Sequence, residues 1–176
     1  MMGMEFRNIC VAMVIFASTI CNAQVTLEKE VKITDDVMYM DGKKVGLNDK
    51  SNNPNGFDYV YGRSLTPHGD CVKAYDTYVF LTWYKGGKEN RNVMLTRYNT
   101  ETGTMATIEF PHRHTGYLDR WWIGNTHNTI AVGISPKDGT IHMVYDMHRN
   151  GNVAAFANDY LRYSYSKKNG ATVPDN

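Results

Sequence analysis

The chain has 176 residues, with 19 Lys and Arg against 18 Asp and Glu, a formal net charge of +1. So even a balance supplies no basic stripe for nucleic acid and no polybasic patch for a membrane surface. Aromatic residues make up 12% of the chain, with Tyr and Trp clustered, which predicts strand-rich packing and suits a surface that meets sugars.

The chain opens with a short positive start at Arg7 and an apolar run over residues 9–20. The run is too short for a stable membrane span and has the length of an export-signal core. Cys21-Asn22-Ala23 follows with small residues at a cleavage position. Residues 1–23 therefore read as a signal peptide cut after Ala23, and residues 24–176 as a secreted or periplasmic domain with no membrane span. Cys10 and Cys21 leave with the signal, so Cys71 remains with no internal disulfide partner. It has no motif partner either and is expected to be a buried, inert thiol.

Helical periodicity is poor beyond the signal, and short alternating or apolar runs dominate. Residues 25–45 read as lead-in or edge strands with a turn at Asp41-Gly42. Residues 48–54 form a polar loop. "CVKAYDTYVFLTWYKGG" gives two strands meeting near Asp76, "NVMLTRYN" a third and, after the turn "NTETG", "GTMATIEF" a fourth. The order then restarts. "HNTIAVGIS" and "GTIHMVYD" are joined by a turn at Lys137-Asp138-Gly139, and "YLRYSYSKKNG" follows as a third strand.

Laid over each other, "VFLTWY" matches "IHMVYD" and "NVMLTRYNTETG" matches "DYLRYSYSKKNG". Such self-similarity marks a repeat of four-stranded units around an axis. The predicted fold is all-β, a partial β-propeller of about two four-stranded blades. The second blade lacks its fourth strand, and two blades do not close. Residues 24–176 are therefore expected to be the N-terminal part of a larger propeller. A complete small β-sandwich is the alternative.

The segment from Ile123 to His148 holds three histidines. His127 precedes the first strand of the second unit, and His148 ends the second strand. In an antiparallel pair these positions fall at one end of the sheet, so His127 and His148 are expected to be neighbours. Alternation puts His142, Val144, Asp146 and His148 on one face of their strand. His142 reads as a packed strand residue, and the "PHRH" stretch with His112 and His114 reads as a loop. Asn128 and Arg149 make the end polar, and Trp121, Trp122 and Tyr117 could wall a sugar site. No carboxylate stands at a ligand spacing that would complete a metal site with His127 and His148, and no phosphate loop is present.

"HNTIAVGISPKDGTIHMVYDMH", followed by "LRYSYS", resembles the neuraminidase-type (BNR) repeats of exported bacterial proteins. More narrowly, it resembles the seven-bladed propeller polysaccharide lyases of families twenty-four and twenty-five, the ulvan lyases. The resemblance is strong over residues 121–166. It covers the earlier unit by shape alone, and the strict sialidase Asp-box is not met. By this resemblance, His127 and His148 match the paired catalytic histidines. A Tyr and an Arg from later blades complete the site of those enzymes, beyond the end of this chain, so the chain alone is expected to be inactive.

The resemblance implies an anionic partner, a sulfated polysaccharide carrying uronic acids, cut by β-elimination. In that reaction a base takes the proton at C5, an acid protonates the departing O4, and a cation neutralises the carboxylate. Histidine suits the proton transfers because its pKa lies near working pH. Arg149 is a candidate for the carboxylate or a sulfate. Asn128, Trp121, Trp122 and Tyr117 are expected to bind substrate. No cofactor is implied, and no feature sets an oligomeric state. Two other functions fit the composition. One is a non-catalytic glycan-binding propeller. The other is a sialidase-like or rhamnosidase-like hydrolase, which would need a carboxylate pair or a Tyr–Glu nucleophile that is not visible.

Overall fold

The computed structural model describes residues 26–38, 44–46, 70–86, 90–114, 116, 127–147 and 161–174. The chain divides into two units, residues 1–32 and 33–176, and the second holds every strand described below. The predicted signal peptide lies outside the described residues. Residues 26–32 have no regular secondary structure.

Four strands form the first sheet in the order β1-β2-β3-β4: β1 (Val72–Tyr75), β2 (Tyr78–Tyr84), β3 (Asn92–Asn99) and β4 (Met105–Arg113). Three form the second, β5 (Asn128–Ile134), β6 (Ile141–Met147) and β7 (Arg162–Tyr165), in the order β5-β6-β7. Every strand pairs antiparallel with its neighbour in sequence. The two predicted units are thus two meanders, the second with three strands among the described residues. The strands expected over residues 25–45 are not found among those described there. Val37 makes only an isolated bridge to Lys85, and the Met38 N–H donates to the Tyr84 carbonyl at 2.8 Å. The turn expected at Asp41-Gly42 lies outside the described residues.

Turn chemistry sets the registers. Asp76, at φ 54, carries the two-residue connection from β1 to β2, a conformation that Asp tolerates better than most residues. After β3, the Asn99 carboxamide oxygen accepts the N–H groups of Glu101 and Thr102, and Gly103 supplies φ 75. Between β5 and β6, Asp138 accepts both the N–H and the hydroxyl of Thr140. Hydrogen bonds from Ser135 and Thr140 hold the Asp138 carboxyl below its ordinary pKa. Gly139 completes this turn at φ 61, and a Cβ there would lie 3.2 Å from the Tyr75 hydroxyl. Gly139→Ala is therefore expected to cost about 1–3 kcal/mol, from left-handed backbone and crowding together. A urea titration would show this as a lower midpoint with an unchanged slope.

The core lies between the sheets. Phe80, Tyr84, Val93 and Leu95 of the first sheet meet Ile130, Val132, Ile141, Met143 and Tyr145 of the second. Each set follows the period-two alternation of its strands. The turn after β7 closes one end, with Ala171 fully buried and its carbonyl accepting from the Arg97 guanidinium at 3.0 Å. That guanidinium also lies over the Tyr78 ring, 4.7 Å from its centroid.

The repeat is real in topology, but its register differs from the sequence alignment by one residue. Phe80 pairs with Arg97 and His142 with Tyr165. Matching Phe80 to His142 therefore matches Arg97 to Tyr165, whereas likeness of side chains had matched Tyr98 to Tyr165. A one-residue slip exchanges the faces of a strand. With the observed register, the face of the first sheet that the second sheet covers corresponds to the His142, Val144, Tyr163 and Tyr165 face of the second. There the aromatic rings are stacked, Tyr163 and Tyr165 with centroids 5.8 Å apart, and both are exposed.

Candidate active site

The antiparallel order brings six strand ends to one end of the two sheets. Tyr84 ends β2 and Arg91 precedes β3, while His112 and Arg113 end β4. On the second sheet His127 precedes β5, Asp146 lies near the end of β6, and Arg162 begins β7. These polar residues gather at this end of the two sheets.

The "PHRH" stretch corrects its prediction as a loop. His112 and Arg113 belong to β4, and His114 follows directly and is 2% exposed. Pro111 explains why the sequence looked irregular: it has no N–H for the ladder. A step of two positions on β3, from Asn92 to Met94, faces a step of four on β4, from Arg113 to Glu109. The strand survives because β4 is the outermost of its sheet, where proline is tolerated. The His114 ring stands edge-on to Tyr84, with centroids 5.3 Å apart. The Gly116 N–H donates to His114 Nδ1 at 3.0 Å, so Nδ1 serves as the acceptor of that ring. The His112 ring lies 5.7 Å from that of Tyr145, which links the first sheet to the second.

Charge at this end is unevenly distributed. Arg91 is buried, and burial, followed by the neighbouring Arg113, lowers its guanidinium to about 10. Lys85 and Asn92 both reach Glu109, at 2.9 and 2.8 Å. The hydrogen bond that Lys85 donates to Glu109, and the Glu109 charge, raise the Lys85 pKa. On the second sheet the Arg162 Nε donates to Asp146 Oδ2 at 2.8 Å. The Tyr84 phenol is pushed well above its ordinary pKa, first by burial and then by the Asp146 charge.

Of the residues singled out from the sequence, His127 is exposed in the turn that leads into β5, and Asn128 beside it is 1% exposed. Asn128 pairs with Met147, the last residue of β6. His148, Arg149, Trp121, Trp122 and Tyr117 lie outside the described residues. His142 is a strand residue as expected, but it is half-buried on the open face of the second sheet, where its ring stacks on Tyr163 and its Nδ1 lies 2.7 Å from the Tyr163 hydroxyl. Cys71 corrects its prediction as a buried thiol. It is exposed, because it precedes β1, the edge strand of its sheet. Among the described residues no three His, Cys, Asp or Glu side chains cluster as a metal site.

Sequence reasoning missed Asp146, Arg162, Tyr84 and His114. Alternation placed Asp146 on the outer face of β6, yet it is buried, because its φ of 81 breaks the alternation. No local signal in "VYDMH" announces that break.

Two antiparallel meanders packed face to face, with polar residues gathered at one end, define a repeat protein of the β class. Residues 77–173, more than half of the chain, match the model of the BNR repeat-containing family, and the chain belongs to that family. It is 53% identical over 158 residues to a long-isoform ulvan lyase of Glaciecola sp. (strain KUL10), covering 87% of this chain and 16% of that protein. It is 50% identical over 160 residues to a short-isoform ulvan lyase of Alteromonas sp. (strain LOR), covering 86% of this chain and 30% of that one. The crystal structure of the polysaccharide lyase Uly1 is similar with a TM-score of 0.73 at 50% identity, over 86% of this chain and 34% of that one. The chain thus spans between 16% and 34% of the length of these relatives.

Proposed function

We propose that this chain is part of an exported lyase that cleaves a sulfated, uronic-acid-containing polysaccharide of the ulvan type by β-elimination. The observation that carries the reading is the 44–53% identity, over most of the chain, to proteins named ulvan lyases. In this reading His127 and His148 take part in proton transfer or carboxylate contact. Arg149 meets a carboxylate or sulfate, and Trp121, Trp122 and Tyr117 meet sugar rings. Asn128, expected from the sequence to bind substrate, is instead 1% exposed and sits inside the start of β5 next to His127. Histidine is the side chain suited to both taking and giving a proton near neutral pH.

The test is to incubate the full-length protein with a uronate-bearing sulfated polymer and with the same polymer after reduction of its carboxyl groups. Elimination creates a conjugated double bond, so ultraviolet absorbance rises on the first and stays flat on the second. New reducing ends without absorbance mean a hydrolase instead. Retention of polymer with neither signal means a binding module.

The finer architecture belongs to the same proposal. The exposed His142, Tyr163 and Tyr165 face is the repeat counterpart of the Phe80 and Leu95 face that the second sheet covers. A third sheet of the same repeat fits it, as the next blade of a propeller. Residues 24–176 expressed alone are then expected to self-associate through this face and the open edge of β7. Sedimentation showing a clean monomer at high concentration would contradict that arrangement.

A further inference from the structure

Asp146 is a non-glycine residue at φ 81 inside a strand. Such a backbone is strained and persists only where the surroundings over-determine it. Three features do so here. The Arg162 Nε donates to its Oδ2 at 2.8 Å. Its carboxylate has only 6% of its side-chain surface exposed, so it depends on that partner. The buried Tyr84 phenol of the other sheet, edge-on to His114, lies near enough to feel its charge.

The position matters as much as the strain. Asp146 pairs with Thr129, and the next pair, Asn128 with Met147, is the last between these strands. His127 follows directly on that pair. The ion pair also ties β6 to β7, since Arg162 stands at the register position next to Asp146, opposite Tyr145. The carboxylate thus ties β6 to β7 behind the strand end that carries His127, with the Tyr84 phenol of the other sheet beside it.

We propose that Asp146, held by Arg162, is a positioning residue that fixes the β5–β6 strand end and with it the placement of His127 for catalysis. The inference rests on the lyase reading above. Its role is indirect: the carboxylate is buried, so it acts through the backbone at Asn128 and Met147 and not on the polymer.

The test uses Asp146→Asn, Asp146→Gly, Arg162→Gln and Arg162→Lys in the full-length protein. Glycine adopts the required φ without strain, so Asp146→Gly removes the carboxylate while permitting the fold. Outer groups that orient a site typically contribute about 10- to 100-fold to activity. Both Asp146 variants and Arg162→Gln are expected to lose kcat in that range with KM changed less than about twofold. Arg162→Lys is expected to recover part of the loss, and combining Asp146→Asn with Arg162→Gln to add little to either. Near-normal kcat in Asp146→Gly overturns the proposal. So does a raised KM at constant kcat, or a variant unfolded at the assay temperature, since the carboxylate would then serve binding or the fold as a whole. Amide hydrogen exchange at Asn128 and Met147 reads the strand end without turnover. Faster exchange there, with Val132 and Met143 unchanged, supports the positioning role. If the parent protein shows no elimination, that result sinks the proposed reaction while leaving the hold on the strand end intact. Unchanged exchange at Asn128 and Met147 in Asp146→Asn removes the hold itself.

Discussion

Alanine at His127 or His148 in the full-length protein is expected to lower elimination by about a hundred- to ten-thousand-fold, the usual contribution of a positioned acid or base. Polymer binding should change little, because it is spread over aromatic and cationic contacts along several sugars. His127 is exposed at the mouth of a polar sheet end, where a polymer can reach it. Its neighbour Asn128 is buried and locked in register with Met147, so the residue before it has a fixed backbone anchor. Steady-state rates and polymer retention, measured on the same preparations, separate the two effects. Near-normal turnover in both variants would return the two histidines to ordinary polar residues at a sheet end. Strong lyase activity from residues 24–176 alone would refute the need for groups from further blades.

Truncating Phe80 is expected to have the second large effect. Phe80 is 1% exposed in the middle of β2 and faces the second sheet within the shared core. Phe→Ala at such a site typically costs about 3–5 kcal/mol, through lost transfer energy and the cavity left behind. Ile108→Ala, on β4 and 58% exposed, should cost far less. Denaturant titrations of the two variants give the comparison. A loss below about 1 kcal/mol at Phe80 would mean that the second sheet does not close over the first in solution.

Much of the fold was legible because its signals are local. "DT" between two alternating runs, "NTETG" and "KDG" each gave a turn where the structure has one, and strand alternation separated His142 and Val144 of β6 from the opposite face, which the core turns out to hold. The expected strands over residues 25–45 failed because β-propensity does not supply a partner. Val37 finds one at Lys85, and the bridge at Lys44 is likewise a single residue and not a strand. The repeat register failed by one residue because two tyrosines, Tyr98 and Tyr165, looked alike while facing opposite ways. At the candidate site His127 was legible from its place before a strand. Asp146 was not, since a positive φ inside a strand depends on Arg162 and Tyr84, which come from other strands and, for Tyr84, another sheet. His114 was hidden by Pro111, which made the end of β4 look like a loop.

The most direct measurement is the mass of the shortest oligosaccharides that the full-length protein releases from the uronate-bearing polymer. β-Elimination breaks the C4–O4 bond without water, leaving a double bond in the new non-reducing sugar. That product is one water lighter than its saturated counterpart. The expected spectrum holds unsaturated oligosaccharides ending in a dehydrated uronate, and their yield falls with His127→Ala. Products that carry the added water, with no unsaturated species, would contradict elimination and make the protein a hydrolase.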